Sequence, residues 1–211
     1  MINDDGIVGE LFTSLEEDKN LTVLGGLTQG ARNVYTASGP VERPEDLNGQ
    51  KIRVQESDIY IDMITAMGGS ATPMSYGEVY TALQSGVLDG AENNEVSYMS
   101  QKHNEVAKHM AVTEHLIGLD YVLVNTEVLD GMSAEDRAAF EQEWTAASEH
   151  HAELWKTETE EAIAAAEQSG TEFDDVDEAA FDAALAPVVD KYLQTDAARG
   201  LYDEVRRAAG R

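Results

Sequence analysis

Four side chains in the first half of the chain have the type and placement to hold a small organic anion: Arg53, Asn93, Arg32 and Tyr76. A guanidinium presents a planar fork that meets both oxygens of a carboxylate at once, which the point charge of a lysine does not. Arg53 lies in Ile52-Arg53-Val54, where the two-residue period of a strand turns both aliphatic neighbours to one face and the guanidinium to the other. Arg32, in Gly30-Ala31-Arg32-Asn33, is a second fork. Asn93 closes the segment Asp89-Gly90-Ala91-Glu92-Asn93, and its amide can donate to a carboxylate and accept from a hydroxyl. Tyr76 stands in the loop before a helix, where it can flank a ligand. Each residue also has a plainer reading. Strand arginines pair with surface carboxylates, Asp-Gly and Asn-Asn sequences make turns, and a tyrosine at a helix start packs as a staple.

Other chemistries find little support. There is no Gly-x-Ser-x-Gly elbow, phosphate-binding loop or dinucleotide fingerprint, and Gly25-Gly26-Leu27-Thr28-Gln29-Gly30 fits none of them. His103, His109 and His115 are six residues apart, which does not align them on one helical face, and His150 and His151 diverge by about 100° on a helix. All five histidines read as structural, so neither a metal site nor a cofactor is expected. The chain has no cysteine, and its 41 carboxylates do not single out a catalytic pair, so it reads as a binding protein rather than an enzyme.

Charge narrows the partners. The 41 acidic residues against 14 basic ones give a formal net charge of -27, a surface that repels nucleic acid and anionic lipid. An acidic surplus spread along the chain fits a halophilic protein kept soluble in high salt, with an acidic docking surface as the alternative. The 42% hydrophobic content supports a true core in 211 residues. No run approaches the ~18 apolar residues of a membrane span, and the first dozen residues carry no export signal.

The elements that would position these residues alternate. Apolar spacing predicts a helix over 3–19, a strand over 21–24 ended by Gly25-Gly26, and another over 34–37. A proline-led turn at 44–49 precedes a strand over 51–54. Ser57 opens a helix with Tyr60, Met63, Ile64 and Met67 on one face, and Ser75 with Glu78 has the spacing of a capping box. Val87-Leu88 reads as a short strand with Asn93 in the loop beyond it, followed by a helix over 96–110 and a strand over 121–124. An uninterrupted helix from 133 to 169 would reach roughly 55 Å, enough to serve two lobes. The alternation predicts an α/β sheet with helices on both faces.

Three segments resemble a known family. ARNVYTASGPVERPEDLNGQKIRV, ATPMSYGEVYTALQSGVLDGAENN and HNEVAKHMAVTEH are similar to the solute-binding proteins of tripartite ATP-independent periplasmic (TRAP) transporters, of the dicarboxylate-binding DctP type. The resemblance covers nearly the whole chain, and EVYTALQSGVLDGAEN is its most specific part. It implies a two-lobed periplasmic-binding-protein fold braced by a long helix, closing over a carboxylate ligand. Arg53 matches the arginine that pairs with the ligand carboxylate, Arg32 a second arginine, Asn93 the asparagine beside the carboxylate, and Tyr76 a pocket aromatic.

The resemblance also implies a periplasmic location, with the export signal expected upstream, and membrane permease subunits as partners. On this reading 1–30 and 119–158 are a remnant of the first lobe with the bridging helix, and 31–118 and 159–211 form the second. The first lobe is then incomplete, and the 211-residue chain is expected to bind ligand poorly; a micromolar affinity would refute that. Four-carbon dicarboxylates and sugar acids both remain open as ligands. A sensor subunit and an organic-acid hydrolase or isomerase are the alternatives.

Overall fold

The computed structural model describes residue 3 and residues 5–208. The described chain divides into two compact units, the first made of residues up to 29, 119–156 and 193 onward, the second of 30–118 and 157–192. The sequence reading assigned 159–211 to the second lobe. Instead, helix α8 (Asp196–Ala208) lies against helix α1 (Asp5–Lys19) in the first unit, where Leu201 lines a groove with Ile7 and Leu11. An amphipathic helix goes wherever its apolar stripe finds a partner, and local spacing does not say which partner that is.

The candidate residues gather around a six-stranded sheet that lies mostly in the second unit, with its residues 21–29 and 119–125 in the first. Its strands are β1 (Leu21–Thr36), β2 (Lys51–Val54), β3 (Ser70–Pro73), β4 (Gly90–Asn93), β5 (His109–Asn125) and β6 (Glu172–Asp174), in the spatial order β3-β2-β4-β1-β5-β6. Strand β2 runs parallel to β3 and β4, so all three end at the same edge. β1 enters antiparallel to β4, with Asn33 opposite Asn93. Helices α2 (Asp58–Ala66), α3 (Val79–Gln84), α4 (Glu95–Ser100) and α7 (Glu178–Tyr192) complete the second unit, together with the end of α6 (Ala134–Gln168), while the short α5 (Thr126–Asp130) belongs to the first unit.

Two cores back the sheet, one on each face. Tyr35 and Ala91 join Val79, Leu83, Leu88, Tyr98 and Met110 on one side. Val34, Ile52 and Val54 join Leu47, Ile64, Met67 and Phe181 on the other. That division follows the strand period, which sends Tyr35 and Val34 to opposite faces and sets Ile52 and Val54 against Arg53.

Several boundaries depart from expectation. β1 does not stop at Gly25-Gly26. A Cβ on Gly26 would sit 2.9 Å from the Tyr121 ring, so that glycine admits a close-packed aromatic rather than a turn. Val87 and Leu88 are not a strand: both amides return to the Ala82 carbonyl, and the strand begins at Gly90, which puts Asn93 at its last position. The helix expected over 96–110 ends at Ser100. Lys102 adopts φ 59°, a left-handed step that breaks the helix and releases His109 into β5. The long helix is present as α6, 35 residues starting at Ala134. The helix expected from residue 3 begins at Asp5, and residue 4 lies outside the described residues.

Gly90 is fixed by sterics. A Cβ there would meet the Tyr35 carbonyl oxygen at 2.5 Å and Ile52 Cδ1 at 2.9 Å, between strands that have no room to part. Gly90→Ala is expected to lower stability by about 1–3 kcal/mol, as overpacked cores do. Urea denaturation measures it, and an unchanged midpoint would contradict this packing.

Candidate functional site

The parallel strands β2, β3 and β4 deliver their carboxyl ends to one edge, the place where α/β sheets hold ligands. Arg53 is the third residue of β2, Met74 follows β3 directly, and Asn93 ends β4. Arg53 pairs with Ala91, and Ala91 with Tyr35, so Arg53, Asn93, Tyr35 and Asn33 project from the same face. Arg32 and Glu92 belong to the opposite face by the same alternation. The two arginines therefore share an edge of the sheet but not a side.

Arg53 is 4% exposed, and among the described residues no carboxylate pairs with it. Its Nε and Nη2 both donate to the Met74 carbonyl, at 2.9 and 2.7 Å, and its guanidinium carbon lies 5.6 Å from the centre of the Tyr76 ring. The backbone carbonyl and the aromatic face hold the side chain in place without neutralising it. One edge of the fork is pinned, which leaves the Nη1/Nη2 end with the geometry to take a carboxylate. Burial lowers the Arg53 pKa from its ordinary value; Tyr35 and Glu92 oppose that shift, and Arg32 adds to it. The cation remains a cation, but an uncomfortable one.

Arg32 has a different arrangement. It is 2% exposed and lies against Glu92, which is 0% exposed, with Nε–Oε2 at 2.6 Å, Nη2–Oε1 at 2.9 Å and Nη2 to the Glu92 carbonyl at 3.1 Å. Tyr60 of α2 covers it at 5.3 Å. Burial opposes the Arg32 charge, and Glu92 more than offsets that, so its pKa rises. Burial likewise opposes ionisation of Glu92, but His115 and Arg32 hold its carboxyl below the usual range. His115 places Nε2 3.6 Å from Glu92 Oε2, with Nδ1 fixed 2.8 Å from the Thr113 hydroxyl. Two guanidiniums against one carboxylate leave a net +1 across Arg32, Arg53 and Glu92, inside a chain of net charge -27.

Asn93 is 5% exposed, and its Oδ1 accepts from the Asn94 amide at 2.9 Å. Tyr76, 38% exposed, meets the His103 ring edge-on at 6.1 Å. His103 Nδ1 is 2.7 Å from the Tyr35 hydroxyl, and burial, aided by the Arg53 charge, pushes its pKa down to about 4. His103 thus acts as a neutral prop beneath Tyr76. Asn33 is braced from two sides, donating to Glu95 at 2.8 Å and accepting from the Glu114 amide at 2.9 Å. The sequence reading passed over Glu92, His115, Tyr60 and Asn33. A signal for Glu92 existed: it is the one charge in the wholly buried strand Gly90–Asn93.

This edge of the sheet holds an unbalanced buried cation ringed by amides and aromatics. The model for bacterial extracellular solute-binding protein, family 7 (DctP) matches residues 2–196. The chain belongs to that family. A solute-binding protein of Chromohalobacter salexigens is 42% identical over 195 residues, 90% of this chain and 57% of its own length. The chain thus spans less than two thirds of that family member. A TRAP periplasmic solute-binding protein of the same organism, solved with bound D-glucuronate, is 38% identical with a TM-score of 0.89, covering 97% of this chain and 68% of the other. One from Anaerococcus prevotii, solved with α/β D-glucuronate, is also 38% identical, with a TM-score of 0.88 and coverages of 97% and 66%. The family is one of solute receptors, not of enzymes.

Two outcomes follow from this geometry. Glu92→Gln leaves Arg32 buried without its counterion and is expected to cost about 3–5 kcal/mol in chemical denaturation; a loss under about 1 kcal/mol would show the pair to be dispensable. His103, ordinarily titrating at 6.5 and here at about 4, contributes stability that is fully present above pH 6.5 and lost as pH falls toward 4. The melting temperature should therefore fall across that window, and the fall should be shallower in His103→Asn. Parallel profiles would contradict it.

Proposed function

We propose that this chain is the carboxylate-capturing part of an extracytoplasmic TRAP solute-binding protein, and that its ligand class is the hexuronates. The observation that carries the reading is the Arg53 guanidinium, 4% exposed, with no acidic partner among the described residues and one edge already fixed on Met74. A ligand carboxylate would meet Nη1 and Nη2, cancel the surplus charge and gain from the low local dielectric. Asn93 stands beside it to bridge to a carboxylate or hydroxyl oxygen, and Tyr76 supplies an apolar wall. Arg32 does not offer a second seat, since Glu92 neutralises it and occupies its Nε/Nη2 edge.

The charge balance favours one carboxylate over two. A four-carbon dicarboxylate brings two negative groups, while Glu92 already commits the second fork. A sugar acid brings one carboxylate and several hydroxyls, which suit Asn93 and the neighbouring amides. The D-glucuronate in the Chromohalobacter and Anaerococcus proteins supports the same class. Delivery to membrane permease subunits, from a periplasmic location, is the role this reading assigns.

The test is calorimetry with D-glucuronate, D-galacturonate, succinate and D-glucose, on a form of the protein covering the length of its relatives. The uronates should bind, and glucose, which lacks the carboxylate, should not. Arg53→Lys should weaken uronate binding by about 10–100-fold, because a point charge replaces a fork (about 1.4–2.8 kcal/mol). Succinate binding tighter than the uronates would overturn the ligand class. Full affinity in Arg53→Lys would overturn the site.

A further inference from the structure

A second cluster lies on the same sheet, at the edge formed by β5 and β6. The two strands run parallel, with His109 opposite Glu172 and Ala111 opposite Asp174. His109, Glu172 and Asp174 therefore project from one face, two from alternate positions of β6 and one from across the ladder. A ligand atom from each lies within 4.8 Å of the other two, the one such convergence of histidine and carboxylate groups among the described residues. We propose that these three residues form a binding site for a divalent first-row cation of the zinc class, clipping the three-residue strand β6 to β5.

Three observations carry it. First, His109 Nδ1 and Asp174 Oδ2 are each shielded from solvent and have no hydrogen-bond partner, although they face one another. Polar atoms in that position are normally paired, and this facing pair, 3.6 Å apart, leaves room for a shared ligand between its two atoms. Second, their separation is wrong for a direct bond and right for a shared ion. A charge-assisted hydrogen bond closes to about 2.7–2.9 Å. Two ligands on a tetrahedral zinc, with bonds of about 2.0–2.1 Å, stand about 3.3 Å apart. His109 Nδ1 and Asp174 Oδ2 are 3.6 Å apart, and Nδ1 to Glu172 Oε2 is 4.0 Å. Third, no lysine or arginine among the described residues pairs with either carboxylate, so two like charges share one face of a short edge strand.

The ligand set selects the ion. One imidazole nitrogen with two carboxylates suits zinc, whereas calcium and magnesium prefer oxygen throughout. Asp174 is held in place, with its side chain 11% exposed, while Glu172, 74% exposed, has the freedom to swing in and complete the set. Water would take the fourth position. The consequence is structural: the ion would replace the repulsion between Glu172 and Asp174 with a bond between strands that share only three residue pairs.

The experiment uses the intact chain, stripped with chelator and titrated with zinc chloride by calorimetry and thermal melting. One zinc per chain should bind saturably and raise the melting temperature. His109→Ala and Asp174→Asn should each weaken that site by about tenfold or more, and cobalt should give the visible absorption of a tetrahedral site. Glu172→Gln alters an exposed side chain that the core does not need, so its expected loss of affinity does not depend on the buried variants folding. His150→Ala, on the exposed face of α6, should leave binding unchanged. A shallow, unsaturating response shared by all variants would mean adsorption to the acidic surface and would overturn the proposal. A saturable site indifferent to His109→Ala or Glu172→Gln would overturn it equally.

Discussion

The architecture of the second unit turns on a guanidinium that is buried and, among the described residues, lacks a matching acid. Removing a charge from water costs on the order of several kcal/mol even after the surroundings relax. Proteins usually meet that cost with a counterion, as Arg32 and Glu92 do on the opposite face. Arg53 is met instead by a backbone carbonyl and an aromatic ring, which orient it and leave its charge standing. The folded unit thus carries a deficit that a small anion can cancel, and the affinity of a receptor comes from that deficit.

The rest of the unit can be understood as support for that arrangement. Parallel pairing of β2 with β3 and β4 brings Arg53, Met74 and Asn93 to one edge. Gly90 lets β4 press against Tyr35, and Tyr35 fixes His103, which props Tyr76 over the guanidinium. The sealed Arg32–Glu92 pair keeps a second cation close by while withholding its fork. Because Glu92 neutralises Arg32, the pair adds no net charge and offers no second seat, so Arg53 alone carries the surplus charge, and under the proposed function this favours a monocarboxylate over a dicarboxylate.

Much of this was legible in the sequence, and the failures have physical causes. Period-2 alternation places Arg53 opposite Ile52 and Val54, and the long helix follows from an unbroken run between Ser133 and Ser169. What could not be read was long-range. Nothing local says that Gly25-Gly26 makes room for Tyr121, that Lys102 turns left-handed, or that α8 finds α1. The Arg32–Glu92 pair spans sixty residues, and among 41 acids its carboxylate carries no mark of its own except its place in a buried strand. The histidines show the same limit. Spacing along the chain argued against a shared face for His109, yet its neighbours come from a parallel strand more than sixty residues away.

The most direct measurement is a crystal structure with D-glucuronate bound. The account predicts the carboxylate oxygens at about 2.7–2.9 Å from Nη1 and Nη2 of Arg53, with the Met74 carbonyl still on the opposite edge and Asn93 within hydrogen-bond reach. A carboxylate seated elsewhere, with the Nη1/Nη2 end of Arg53 left empty, would contradict it.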